Sequence, residues 1–168
     1  MTLEGQVALV TAAGRGIGRG IAESLAEAGA SLVINSYSES TVSETAELCQ
    51  AKGARVEVCI GDITDRDKMI EMREHALSAF GKIDILVNNV GAGPKSGVEP
   101  DDHELGPSQA IWDALYRQNL LPVVLMSEAV IPHMKANRHG KIVHISSIAG
   151  KVPFSDKMLK FFMHHSYS

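Results

Sequence analysis

The octapeptide TAAGRGIG at residues 11–18 constrains the chain most, because it stands directly between a β-branched apolar run and a helical pattern. Gly14, Gly16 and Gly18 carry no Cβ, so the backbone here can turn sharply and approach another group closely. A strand that enters a helix through such a turn opens a βαβ unit. The remainder keeps the same rhythm, with strand candidates at 7–11, 31–35, 55–60, 83–88 and 141–145. Their apolar character is nearly continuous, as a parallel sheet covered on both faces requires. Between them, Ile17, Ile21, Leu25 and Ala28 mark one helical face, and Met69, Met72, Ala76 and Phe80 mark another. Gly29, Gly53 and Gly81 fall where three helices should end, at the position a left-handed cap favours.

The texture changes at 91–107, where proline, glycine and acidic residues gather into an expected surface loop. A long helical pattern follows over 108–137, and Pro122, which lacks a backbone donor, predicts a bend or break at 119–122. Residues 151–168 show no clear period and read as irregular or as the start of a further helix. At 168 residues the whole chain fits a single domain, expected to be α/β and doubly wound.

A formal charge of −4 argues against a nucleic-acid partner. No run reaches the roughly 18 apolar residues of a membrane span, and the start lacks the pattern of an export signal. Both point to a cytoplasmic protein with no membrane partner. Cys49 and Cys59, the two cysteines present, read as buried thiols in a reducing compartment. Seven histidines are present without a metal-ligand spacing such as H-E-x-x-H, so no metal is expected.

The chemistry begins at the octapeptide. A helix N-terminus offers unpaired N–H groups and the positive end of a dipole, and glycines let a pyrophosphate come close to them. The general dinucleotide fingerprint G-x-G-x-x-G is out of register here, because Arg19 stands where a third glycine would follow Gly14 and Gly16. On spacing alone, a tight strand-to-helix turn with no ligand also fits.

The surrounding motifs are more specific. T-x-x-x-R-G-I-G from Thr11, Asp62 after strand three, NNVG at 88–91, Asn119 in the long helix and ISS at 145–147 occur in order. Together they resemble the short-chain dehydrogenase/reductase family, over the stretch from Leu3 to about Gly150. The resemblance implies a Rossmann-type parallel sheet of order 3-2-1-4-5, here expected to be truncated before its last strands. It implies that Gly14, Gly16, Ile17 and Gly18 cradle the pyrophosphate of a cofactor, with Thr11 and Arg15 also in the cofactor site. Asp62 and Ile63 would face adenine, and Asn88, Asn89, Val90 and Gly91 would line the nucleotide's flank. Asn119 would hold a relay water, and Ser147 would hydrogen-bond a substrate carbonyl. Two departures stand out: Ala12 and Val90 occupy positions where the family usually has glycine and alanine. Ala12 should be tolerated at negative φ and harmful at positive φ.

A free ribose 2′-OH is normally gripped by a carboxylate at the end of strand two, but the chain there reads Asn35, Ser36, Tyr37, Ser38. That absence, together with Arg15 and the neighbouring Ser36, favours NADP over NAD; Arg15 as a solvated loop cation is the other reading. Family members place a proton-donating tyrosine on the helix after strand five, with a lysine four residues later. The chain closes Ser166, Tyr167, Ser168, so Tyr167 is the candidate, with the lysine three positions beyond Ser168 and a short insertion at 156–165. Tyr167 also reads as an unrelated tail residue. The expected function is hydride transfer between NADP(H) and a small ketone or secondary alcohol, in a homodimer or homotetramer. The alternatives are a non-catalytic dinucleotide-binding protein and an inactive fragment lacking the lysine.

Overall fold

The computed structural model describes residues 2–91 and 109–147. Tyr167, the loop at 92–107 and the stretch 151–168 lie outside the described residues. Five parallel strands form one sheet in the order β3-β2-β1-β4-β5. They are β1 (Val7–Val10), β2 (Ser31–Ser36), β3 (Val56–Ile60), β4 (Ile85–Asn88) and β5 (Lys141–His144). Helices α1 (Gly16–Glu27), α2 (Glu39–Ala51) and α3 (Arg66–Phe80) supply the crossovers in the first half. Helices α4 (Gln109–Leu115) and α5 (Leu121–Ala136) precede β5.

Alternate residues of a strand face opposite sides of a sheet, and that alternation builds two cores. Ala8 and Val10 of β1, with Leu32, Ile34, Ile85 and Val87, meet Ala22 and Ala26 of α1 and Val42, Ala46 and Cys49 of α2. Leu9, with Val33 and Leu86, meets Met69, Met72 and Ala76 of α3 and Met126, Val130 and Met134 of α5. β1 and β4 are buried along their whole length, which explains their uninterrupted apolar sequence.

The helix ends follow the glycines. Gly29, Gly53 and Gly81 have φ of +95°, +89° and +75°, a region in which glycine carries no Cβ penalty. Asp65 caps α3 by accepting the Asp67 N–H at 2.9 Å.

One expectation is corrected, and another is met in a specific form. The buried face of α1 consists of Gly18, Ala22 and Ala26, whereas Ile17 is 67% exposed and Ile21 and Leu25 only flank the core. Small residues win because α1 must approach the strand ends closely: a Cβ on Gly18 would overlap the Ala12 carbonyl. The expected break near 119–122 takes the form of a π-helical turn, Tyr116–Leu120, inserted between α4 and α5. In it the Leu121 N–H reaches back to the Tyr116 carbonyl, and Pro122, which has no N–H to give, follows directly in the first turn of α5.

Candidate functional site

The sheet order reverses between β1 and β4, and the crevice outside the carboxyl ends of strands at such a point is where open α/β sheets bind ligands. The octapeptide sits there. Arg15 is the extended N-cap residue of α1; the first-turn N–H groups have no intrahelical acceptors, and among the described residues the N-cap side chain makes no cap hydrogen bond to them. The three glycines serve different ends. A Cβ on Gly14 would lie 2.5 Å from Thr41 Oγ1 and 2.7 Å from Ser36 Oγ, and Gly18 is closed off by Ala12 and Asn89. Gly16 has φ +55°, and none of the described residues lies within 4 Å of the place its Cβ would occupy. Gly14 and Gly18 are therefore glycine for internal packing, and Gly16 for its left-handed backbone beside open space.

Four side chains hold this turn in place. Thr11, fully buried, donates to the Val87 carbonyl at 3.4 Å and accepts the Asn89 N–H at 3.0 Å, joining the ends of β1 and β4. Asn89 Nδ2 donates to the carbonyls of Thr11 (3.4 Å) and Ala12 (3.1 Å). Asn35, 4% exposed, accepts the Ala12 N–H at 3.4 Å and donates to the carbonyls of Cys59 and Gly61, both at 3.1 Å. Arg19 Nη2 donates to the Gly14 carbonyl at 2.9 Å. Inside this frame Ala12 sits at φ +50°, the unfavourable case for a residue with a Cβ.

Asn88, buried at the end of β4, donates to Ser127 Oγ and to His144 Nδ1, both at 3.1 Å, and so ties β4 to α5 and β5. Its Nδ2 is thus engaged inside the protein, whereas its buried Oδ1 has no hydrogen-bond partner among the described residues. Val90 packs against the second core, and Gly91 follows with its would-be Cβ 3.6 Å from Asn119 Oδ1. The structure thus brings the end of β4 to Asn119, which lies in the π turn and donates to the Leu115 carbonyl at 3.0 Å. Ser147 follows β5 at the same end of the sheet and is exposed. After β3, Asp62 accepts from the backbone N–H (2.9 Å) and hydroxyl (2.8 Å) of Thr64, while Ile63 buries its side chain in the second core. At the end of β2, Ser36 Oγ lies 3.5 Å from Thr41 Oγ1 and accepts the Ser38 N–H at 3.3 Å. Arg15 is exposed. Among the described residues no group of three or more His, Cys, Asp or Glu side chains could hold a metal ion.

Sequence reasoning passed over Asn35 and Arg19. Asn35 was visible only as a missing carboxylate, although an amide there can bridge three main-chain groups. Arg19 was visible only as a break in glycine spacing, and nothing local shows that its side chain reaches α2.

A doubly wound parallel sheet of order 3-2-1-4-5 with an open glycine turn at its switch point is the architecture of a Rossmann-type α/β protein. The chain belongs to the short chain dehydrogenase family, whose sequence profile matches residues 6–158. It is 36% identical over 160 residues to the (2S)-[(R)-hydroxy(phenyl)methyl]succinyl-CoA dehydrogenase subunit BbsD of Thauera aromatica, covering 92% of this chain and 62% of that one. It is 31% identical over 150 residues to the 3-oxoacyl-[acyl-carrier-protein] reductase FabG of Thermotoga maritima, covering 89% and 58%. Among solved structures, a 7α-hydroxysteroid dehydrogenase complexed with NADH and 7-oxo glycochenodeoxycholic acid superposes with TM-score 0.81 at 32% identity, covering 98% of this chain and 61% of that one. A metagenomic short-chain oxidoreductase in complex with NADP gives 0.80 at 36% identity, covering 93% and 68%. The chain spans about six tenths of the length of these curated relatives.

Proposed function

We propose that the protein is an NADP-dependent oxidoreductase that transfers hydride between the cofactor and a small ketone or secondary alcohol. The observation that carries this reading is the convergence, at one end of the sheet, of an open glycine turn with the Gly91–Asn119 contact and Ser147. The turn fits a pyrophosphate: Gly16 borders open space, and the unpaired N–H groups at the start of α1 favour an anion. Gly14, Arg15, Gly16, Ile17 and Gly18 would hold that group. Thr11, Asn88 and Asn89 act through the frame they build, and Val90 and Gly91 line its flank. Asp62 and Ile63 would border the adenine, Ile63 through its main chain.

The bound nicotinamide supplies or accepts the hydride. Ser147 Oγ would donate a hydrogen bond to the substrate carbonyl oxygen, and Tyr167 Oη would deliver the proton to that oxygen in reduction and withdraw it in oxidation. Asn119 would hold the water that reconnects this proton to solvent.

The preference for NADP rests on the absence of a carboxylate at Ser36, Tyr37 and Ser38 and on the exposed Arg15, whose guanidinium suits a 2′-phosphate. Assembly as a homodimer or homotetramer is supported by exposed Trp112, Tyr116, Leu120 and Val124, four residues apart along the α4–α5 segment. A cytoplasmic location is supported by free Cys49 and Cys59. No helix among the described residues is long and apolar enough to cross a membrane.

The test is a titration with NADPH and NADH, followed by turnover on a panel of ketones and secondary alcohols. NADPH should bind more tightly, with Arg15→Ala erasing the difference, and Tyr167→Phe should bind cofactor without turning over. Equal affinity for the two cofactors would remove the NADP assignment; binding with no turnover on any substrate would leave a dinucleotide-binding protein without catalysis.

A further inference from the structure

We propose that Arg19 is a positioning residue that aims the backbone of the glycine turn at the cofactor's pyrophosphate; the proposal rests on the dinucleotide reading above. All three guanidinium nitrogens of Arg19 are engaged. Nε donates to Thr45 Oγ1 at 3.1 Å, Nη1 to Glu44 Oε1 at 2.9 Å, and Nη2 to both Glu44 Oε2 at 2.8 Å and the Gly14 carbonyl at 2.9 Å. Thr45 Oγ1 lies 3.2 Å from the same carbonyl and 3.0 Å from the Thr41 carbonyl, so its single hydrogen is shared between the two. Arg19 is therefore committed to α2 and to Gly14, and is not itself a phosphate ligand.

Its effect passes through one peptide group. In a planar trans peptide the carbonyl and the following N–H point in opposite directions. Drawing the Gly14 carbonyl onto Arg19 and Thr45, on the α2 side, turns the Arg15 N–H away from α2 and beside the unpaired N–H groups of α1. Gly14 allows that approach, since a side chain there would collide with Thr41 and Ser36. Glu44 fixes the fork from behind: the Arg19 hydrogen bond, then its charge, lowers the Glu44 pKa, and the same bond raises that of Arg19. The arginine that breaks the G-x-G-x-x-G register thus orients the turn by a hydrogen bond, where a third glycine would have acted by close packing.

The test compares ligands that carry a pyrophosphate with one that does not. Arg19→Met should weaken NADPH and ADP-ribose by about ten- to a hundredfold, the equivalent of one hydrogen bond to a charged group. Adenosine 2′-monophosphate, which has no pyrophosphate, should stay within about twofold, since its contacts avoid that peptide. Thr45→Val keeps the side-chain volume and removes the second donor to Gly14, and should give a smaller loss with the same ligand pattern; it decides the matter if Arg19→Met does not fold. Equal losses for all three ligands, or none, would overturn the positioning role. If the unsubstituted protein binds none of the three, the dinucleotide reading falls first and this inference with it.

Discussion

Ala12 combines a Cβ with a φ of +50°, and the surrounding frame holds it there: Asn35 takes its N–H and Asn89 its carbonyl. A left-handed backbone costs a non-glycine residue about 1–2 kcal/mol. Ala12→Gly removes that cost but also loosens the unfolded chain, so the expected gain is about 1 kcal/mol, read as a higher denaturant midpoint. A midpoint that falls would show that the position is not strained. Gly18→Ala should act in the opposite sense, because its methyl group meets the Ala12 carbonyl and Asn89 Nδ2. Overpacking of this kind costs about 1–3 kcal/mol and should lower the midpoint.

Strand β3 carries Cys59, whose thiol is pushed up to about 11 by burial first and by Glu57 and Glu71 second. A thiol with a raised pKa favours the fold while it is neutral. That contribution is fully present below the unfolded value of 9.0 and is lost as pH rises from there through about 11. Melting temperature should therefore decline over that window and decline less in Cys59→Ala; parallel profiles for the two proteins would exclude the effect. The same thiol should resist alkylation at pH 8 until the protein is denatured. At the other side of the sheet, Asn88 joins β4 to β5 and α5 through Ser127 and His144. Asn88→Ala should cost about 1–3 kcal/mol, the range for losing a buried polar partner. It should also speed hydrogen exchange at Ile145, whose N–H donates to the Asn88 carbonyl at 2.9 Å. Unchanged exchange there would mean that the strand pairing does not depend on the side chain.

Across the whole molecule, Leu9 lies at the centre of the core shared by α3 and α5 and is fully buried. Leu9→Ala should destabilise by about 2–5 kcal/mol through lost transfer energy and a residual cavity. A cost below 1 kcal/mol would mean that the methionines of α3 and α5 collapse into the space, which their flexible side chains could do. The strand rhythm, the three left-handed glycine caps and the α3 face were legible in the sequence because each depends on a local period or on a single backbone preference. The α1 face was not, since apolar periodicity pointed to Ile17, Ile21 and Leu25 while the close approach to β1 selected Gly18, Ala22 and Ala26. The bend near Pro122 was legible, but its π-helical form, with Asn119 inside it, was not. By itself, the sequence determined the order of the elements, the family and the residues at the carboxyl ends of the strands, all encoded within short windows of chain. Only the tertiary structure decided which side chains hold the glycine turn in place and which stay exposed beside it, because Arg19–Glu44, Asn35–Ala12 and Asn89–Thr11 are contacts between elements distant along the chain.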